Sequence, residues 1–190
     1  MAWSWLPLLH SRVLSSLVQR DMFTLHILKE GVTCILATKN LITADEFFNL
    51  APHLGRCELV RGEIIEMSPP GLIHGKTAMR LGAWLFNYVE EHNLGEVFAA
   101  ETGFIVEHAT DEQSHDTVRG PDISFVKKER IPEEGLDDAW GNFPPDLVVE
   151  VMSKNDTQRE VLEKVGEYLD SGVLLVWVVR PQNKTVTIYR

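Results

Sequence analysis

The stretch from Asp146 to Val179 reads D-L-V-V-E-V-M-S-K-N-D-T-Q-R-E-V-L-E-K-V-G-E-Y-L-D-S-G-V-L-L-V-W-V-V, and its hydrophobic period changes twice. Over Asp146 to Met152 the run is short, apolar and of strand type. Side chains two apart share a strand face, so Asp146, Val148, Glu150 and Met152 point one way and Leu147, Val149 and Val151 the other. From Thr157 to Leu169 the spacing becomes helical, with Val161, Leu162, Val165, Tyr168 and Leu169 in one arc of roughly 120°. Leu174 to Val179 is again a strand-like run. A helix of this kind packs on a sheet. With a strand on either side of it and more strands upstream, the chain is predicted to fold as α/β (α+β), a mixed β-sheet flanked by helices.

Further strands are expected over Asp122 to Val126, after Gly120-Pro121, and over Thr185 to Tyr189. His74 to Asn93 carries Ala78, Leu81, Leu85, Tyr88 and Val89 at helical spacing and meets stop signals at Asn93 and Gly95. Glu96 to Glu107 alternates toward one strand, and His108 to Thr117 is polar and aperiodic, hence a loop. Cys57 to Met67 reads as two strands turning at Arg61-Gly62, where glycine supplies the backbone freedom of a tight hairpin. Thr43 caps a short helix to Leu50 with Asp45-Glu46 in its first turn. Residues 1–38 read as an extension to a domain of residues 39–190, with an amphipathic helix over Ser11 to Arg20. Its apolar start lacks a basic leading region and a clear cleavage site, so a secretory signal is disfavoured.

Composition narrows the function classes. With 190 residues, 44% of them apolar, the chain can fill one ordinary core. No apolar run approaches the ~20 residues a membrane-spanning helix needs, so no membrane association is expected. Two cysteines, Cys34 and Cys57, are too few for a disulfide framework or a cysteine zinc site and suit a reducing compartment, with the cytoplasm as the expected location. A net charge of −10 argues against wholesale electrostatic capture of nucleic acid, so any such activity must rest on a local patch or a metal.

Gly71-Leu-Ile-His-Gly75-Lys76-Thr77 approaches a phosphate-cradling loop. It has three residues between its glycines where the cradle needs four, and two prolines before it remove N–H donors. No serine sits in a G-x-S-x-G elbow, and the histidines lack zinc-hydrolase spacing. What stands out is carboxylates set in apolar strands, where an unpaired charge is costly to desolvate. Asp122 opens D-I-S-F-V, and Glu150 is flanked by valines. If those runs are neighbouring strands, the two carboxylates converge on one hard cation such as Mg²⁺, a site suited to phosphodiester hydrolysis. Lys164 lies at the edge of the helical stripe, where its stem can run along the sheet and its ammonium reach the carboxylates. For each of the three a structural role, as cap, ion-pair partner or snorkelling lysine, is the alternative.

Taken in order, P-D-I-S-F-V, P-D-L-V-V-E-V-M-S-K-N-D, the helix with Lys164 and Tyr168, and S-G-V-L-L-V-W-V-V, together with E-L-V-R-G-E-I-I-E-M-S-P-P-G-L-I-H-G-K upstream, resemble the bacterial Uma-type restriction endonuclease family. The resemblance runs from about Leu41 to Arg190. It implies the restriction endonuclease-like fold of the PD-(D/E)XK nucleases, with DNA as partner and substrate and Mg²⁺ or Mn²⁺ as cofactor. Asp122 and Glu150 then become metal ligands and catalytic carboxylates, with Lys164 as the catalytic lysine moved onto the helix. Glu63 and His74, in the upstream blocks, become supporting catalytic residues. Independently of the resemblance, Arg119, Lys127, Lys128 and Arg130 are local cations expected to steer the nucleic-acid backbone despite the acidic total. Met152 stands where an E-x-K motif would place lysine, and Lys154, of the same parity, is the weaker substitute. The family usually continues past the W-V-V strand, so this chain is expected to lack part of the sheet. A homodimer and a companion methyltransferase are left open. The alternative function is a nuclease fold that binds protein or nucleic acid without cutting it.

Overall fold

The computed structural model describes residues 41–111 and 114–190. The expected extension over residues 1–38 and its helix at Ser11 to Arg20 lie outside the described residues. Helix α1 (Ala44–Leu50) starts at Thr43, whose hydroxyl accepts from Glu46 N–H while Glu46 accepts from Thr43 N–H at 2.9 Å, a reciprocal cap that uses two otherwise unpaired donors. Strands β1 (Cys57–Val60) and β2 (Glu63–Glu66) form the expected hairpin. Arg61 and Gly62 both have positive φ, 50° and 79°, as the tight turn between right-twisted strands requires.

Helix α2 (Leu72–His92) is the longest element and ends where Asn93 turns left-handed at φ 51°. Strands β3 (Gly95–Ala99) and β4 (Phe104–Glu107) follow, then β5 (Thr117–Arg119), β6 (Ile123–Lys127) and β7 (Leu147–Val151). Helix α3 (Gln158–Asp170) crosses from β7 to β8 (Leu175–Arg180), and β9 (Thr185–Tyr189) closes the chain. A side chain at Gly95 would place Cβ 2.0 Å from the Val126 carbonyl oxygen, so the start of β3 requires glycine.

The strands make two sheets rather than one. The mixed sheet has the order β3-β6-β7-β8-β9, with β7 and β8 parallel and the other pairs antiparallel. A second, antiparallel sheet has the order β2-β1-β5-β4. One sequence expectation is corrected here, and one strand is added. Glu96 to Glu107 is not one strand, because the chain turns after Ala99, with Glu101 at φ 71°, and carries β4 into the other sheet. The expected loop ends in β5, three buried residues too short to show a period.

The parity read over Asp146 to Met152 holds. Val148 and Met152 pack with Val161, Val165 and Tyr168 beneath α3, whereas Leu147, Val149 and Val151 pack with Ala78, Leu81 and Leu85 of α2. A third cluster, Ala44, Phe47, Leu59 and Val118, seats α1 on the second sheet. Thr157 caps α3 as Thr43 caps α1, accepting from Glu160 N–H at 3.2 Å while its own N–H donates to Glu160 at 2.9 Å. Thr157→Ala is therefore expected to cost about 1 kcal/mol, read as a lower urea midpoint at unchanged slope. No helix among the described residues is long and apolar enough to cross a membrane.

Candidate active site

β6 and β7 are antiparallel neighbours, with Ile123 opposite Val149. Continuing that register by one residue sets Asp122 across from Glu150, so the two carboxylates foreseen on separate runs share one end of the sheet. Asp122 is buried, and its Oδ2 accepts from Val151 N–H at 2.8 Å and meets His74 Nε2 at 3.0 Å. Arg56 Nη2 lies 3.9 Å from its other oxygen. His74 is buried in the first turn of α2, and its hydrogen bond to Asp122 holds the imidazole pKa above the ordinary range despite burial. Its Nδ1 is buried with no partner among the described residues.

Glu150 points under α3, where Tyr168 O–H donates to its Oε1 at 2.7 Å and Lys164 Nζ lies 3.9 Å away. Burial pushes its carboxyl up to about 7 against the pull of Lys164, and the charges of Asp122 and Glu58 add to the rise. The Tyr168 hydroxyl is pushed well above its ordinary value, first by burial and then by Glu150, so it remains a donor. Burial works against the charge on Lys164, but Glu150 and Glu58 outweigh it and hold the ammonium pKa above the usual range.

Glu58, on β1, is the residue that sequence reasoning missed. It accepts from Lys164 Nζ at 2.9 Å, from Arg119 Nη1 at 2.7 Å and from Gly120 N–H at 3.3 Å. Burial raises its carboxyl, but Lys164 and Arg119 prevail and keep it below the usual carboxylate range. Glu63 sits two rungs nearer the hairpin turn, opposite Val60. The described partners of Asp122, Glu150 and Lys164 are Arg56, His74, Val151, Tyr168 and Glu58, and do not include Glu63.

The surface cations foreseen for steering are already engaged. Arg119 is buried between Glu58 and Glu167, Lys127 and Arg130 pair with Asp146 at 3.5 and 3.3 Å, and Lys128 donates to Asn93. The cation beside Asp122 is instead Arg56, which also pairs with Glu101 at 2.9 Å. Met152 packs into the cluster beneath α3, and Lys154 is exposed beyond the end of β7, so neither supplies an ammonium at Glu150.

Among the described residues no group of three or more histidine, cysteine, aspartate and glutamate side chains gathers as a metal cage. Two hard carboxylates at the same end of the sheet fit Mg²⁺ or Mn²⁺ all the same, because Mg²⁺ is commonly held by one or two carboxylates and completes its shell with water and substrate phosphate. Burial and the negative charge of Asp122 disfavour the Glu150 carboxylate, and a bound divalent cation would favour it.

The model of a family described as Uma2, "Putative restriction endonuclease", matches residues 44–190. The crystal structure of "a putative nuclease belonging to DUF820" from Anabaena variabilis ATCC 29413 superposes with a TM-score of 0.63 at 25% identity, covering 78% of this chain and 79% of that one. No curated protein matches the chain.

Proposed function

This chain belongs to the Uma2 family, and from that premise we propose that it is a divalent-metal-dependent endonuclease hydrolysing phosphodiester bonds of DNA. The observation that carries the reading is the opposition of Asp122 and Glu150 across β6 and β7, with Lys164 Nζ 3.9 Å from Glu150. The family description and the neighbour's title support it.

Asp122 and Glu150 are the residues to hold Mg²⁺ or Mn²⁺, which when bound supplies a polarised phosphate and a water acidic enough to attack near neutral pH. Asp122 is fixed by the Val151 N–H and by His74, which acts as a positioning residue through Nε2. Lys164 gives one of its N–H donors to Glu58 and keeps the others for the attacking water and for the charge that develops on phosphate oxygen. Tyr168 fixes one oxygen of Glu150. Arg56 brings a guanidinium to the same end of the sheet, where it can pair with phosphate once it leaves Glu101.

The test is digestion of supercoiled plasmid, linear duplex and single-stranded DNA and RNA, with Mg²⁺, Mn²⁺ or EDTA. Cleavage of DNA is expected with metal and not in EDTA, and Asp122→Asn is expected to lower it by at least about a hundredfold. A folded protein that cuts no substrate overturns the reading. That outcome favours a nuclease fold that binds without cutting, for which Met152 at the E-x-K lysine position is the specific observation.

A further inference from the structure

A cleft of about 500 Å³ runs between α2 and β3 and ends at Asp122. Its body is lined by Ala78, Met79, Gly82, Phe86, Val97 and Phe98, and its inner end by Asp122, His74 and Arg56. Met79 and Phe86 stand 72% and 47% exposed, apolar side chains that nothing among the described residues covers. We infer that this cleft takes an unpaired nucleobase, seated on Phe86 and Met79, of a strand whose phosphate lies at Asp122. The inference deepens the nuclease reading and rests on it for the ligand's identity.

Four observations select this occupant. The cleft opens directly onto the groups proposed to handle phosphate, so whatever fills it is attached to, or adjoins, the phosphate. Its volume lies in the range of small-molecule sites, and its walls are apolar with few polar groups, as such sites are. Asn87 adds an amide that can pair with a base edge. The net charge of −10 opposes duplex binding by phosphate neutralisation, and Lys127 and Arg130 pair with Asp146 while Lys128 donates to Asn93. Base stacking on apolar and aromatic side chains is the route to affinity that does not depend on a basic surface, and it requires a base out of its duplex.

Gly75 provides the test. A Cβ there meets nothing within 4 Å, and Gly75 lines the cleft, so a leucine fills the space without displacing backbone. Leucine also favours the helix over glycine, so Gly75→Leu is expected to fold. Binding of short labelled oligonucleotides, in DNA and in RNA, is measured by anisotropy in EDTA, using an intact single strand, the same strand with abasic sites, and the duplex. Wild type is expected to hold the intact strand about tenfold or more tighter than the abasic strand or the duplex, and Gly75→Leu and Phe86→Ala are expected to lose that preference. Equal affinity for intact and abasic strands overturns the inference, as does a preference that both variants retain. A sedimentation result in which Gly75→Leu dissociates a self-associated wild type, with base preference unchanged, overturns it in favour of a second copy as the occupant. Base preference without cleavage removes the nuclease reading and leaves the base pocket standing, and cleavage without base preference does the reverse.

Discussion

Glu150→Gln is expected to lose cleavage by about a hundredfold or more and, in metal-free buffer near pH 8, to be more stable than wild type. The two effects have one cause. In the folded chain the Glu150 carboxyl is pushed up to about 7, first by burial and then by Asp122 and Glu58, from an ordinary value of 4.5. The unfolded chain therefore gives up this proton at lower pH than the folded one does. The group's contribution to stability is complete below about pH 4.5 and is lost as pH rises through about 7. Glutamine does not titrate, so the variant escapes that loss, which is on the order of 3 kcal/mol. Little is given up in exchange, since an amide oxygen still accepts from Tyr168 and Lys164 keeps Glu58 at 2.9 Å. Urea titrations in EDTA from pH 5 to 8 read the stability, and plasmid nicking in Mn²⁺ reads the activity. Loss of cleavage together with a loss of stability would make Glu150 a structural residue, and undiminished cleavage would remove it from the site.

That Glu150 was legible at all follows from the strictly local rule that placed it. Alternation over Asp146 to Met152 needs no knowledge of the rest of the chain, and the helical arc over Val161 to Leu169 fixes Lys164 at the stripe's edge in the same way. Both readings agree with the packing, Glu150 lying beneath α3 within 3.9 Å of Lys164. Glu58 obeys the same physics but lies on a four-residue strand, where one carboxylate looks like a solvent-facing residue. Its burial depends on Arg119, 61 residues away, and on Lys164, 106 residues away. The signal that existed was a glutamate between Cys57 and Leu59 ahead of a hairpin, and it was passed over for Glu63 of the same block. Division of the strands between two sheets was hidden for a related reason, because the pairing of Leu59 with Val118 joins segments with no local mark of each other.

Arg119→Met is expected to destabilise the fold by about 3–5 kcal/mol. Arg119, on β5, is buried, its Nη1 donates to Glu58 on β1 at 2.7 Å, and its Nε donates to Glu167 on α3 at 2.7 Å. One guanidinium thus ties the second sheet to the helix that carries Lys164 and Tyr168. Methionine can fill much of the volume, so the cost comes from charge: Glu58 remains buried with Lys164 as its one remaining cation. The pH signature separates this from a packing loss. In wild type, burial raises the Glu58 carboxyl but Lys164 and Arg119 hold it below its ordinary value of 4.5, so its stabilising contribution is present above that value and is lost as pH falls through the lower folded one. Without Arg119 the Glu58 carboxyl rises, and the acid limb of the stability curve moves to higher pH. Glu58→Gln in the Arg119→Met background removes the stranded charge and is expected to recover part of the loss. Cleavage by the double variant is expected to stay low even where it is folded, because Lys164 has then lost the carboxylate that holds it beside Glu150. Urea midpoints across pH 3 to 8 for the wild type, the single and the double variant decide it. A loss below about 1 kcal/mol, or an acid limb that does not move, would show that the two layers are held together by their apolar contacts alone.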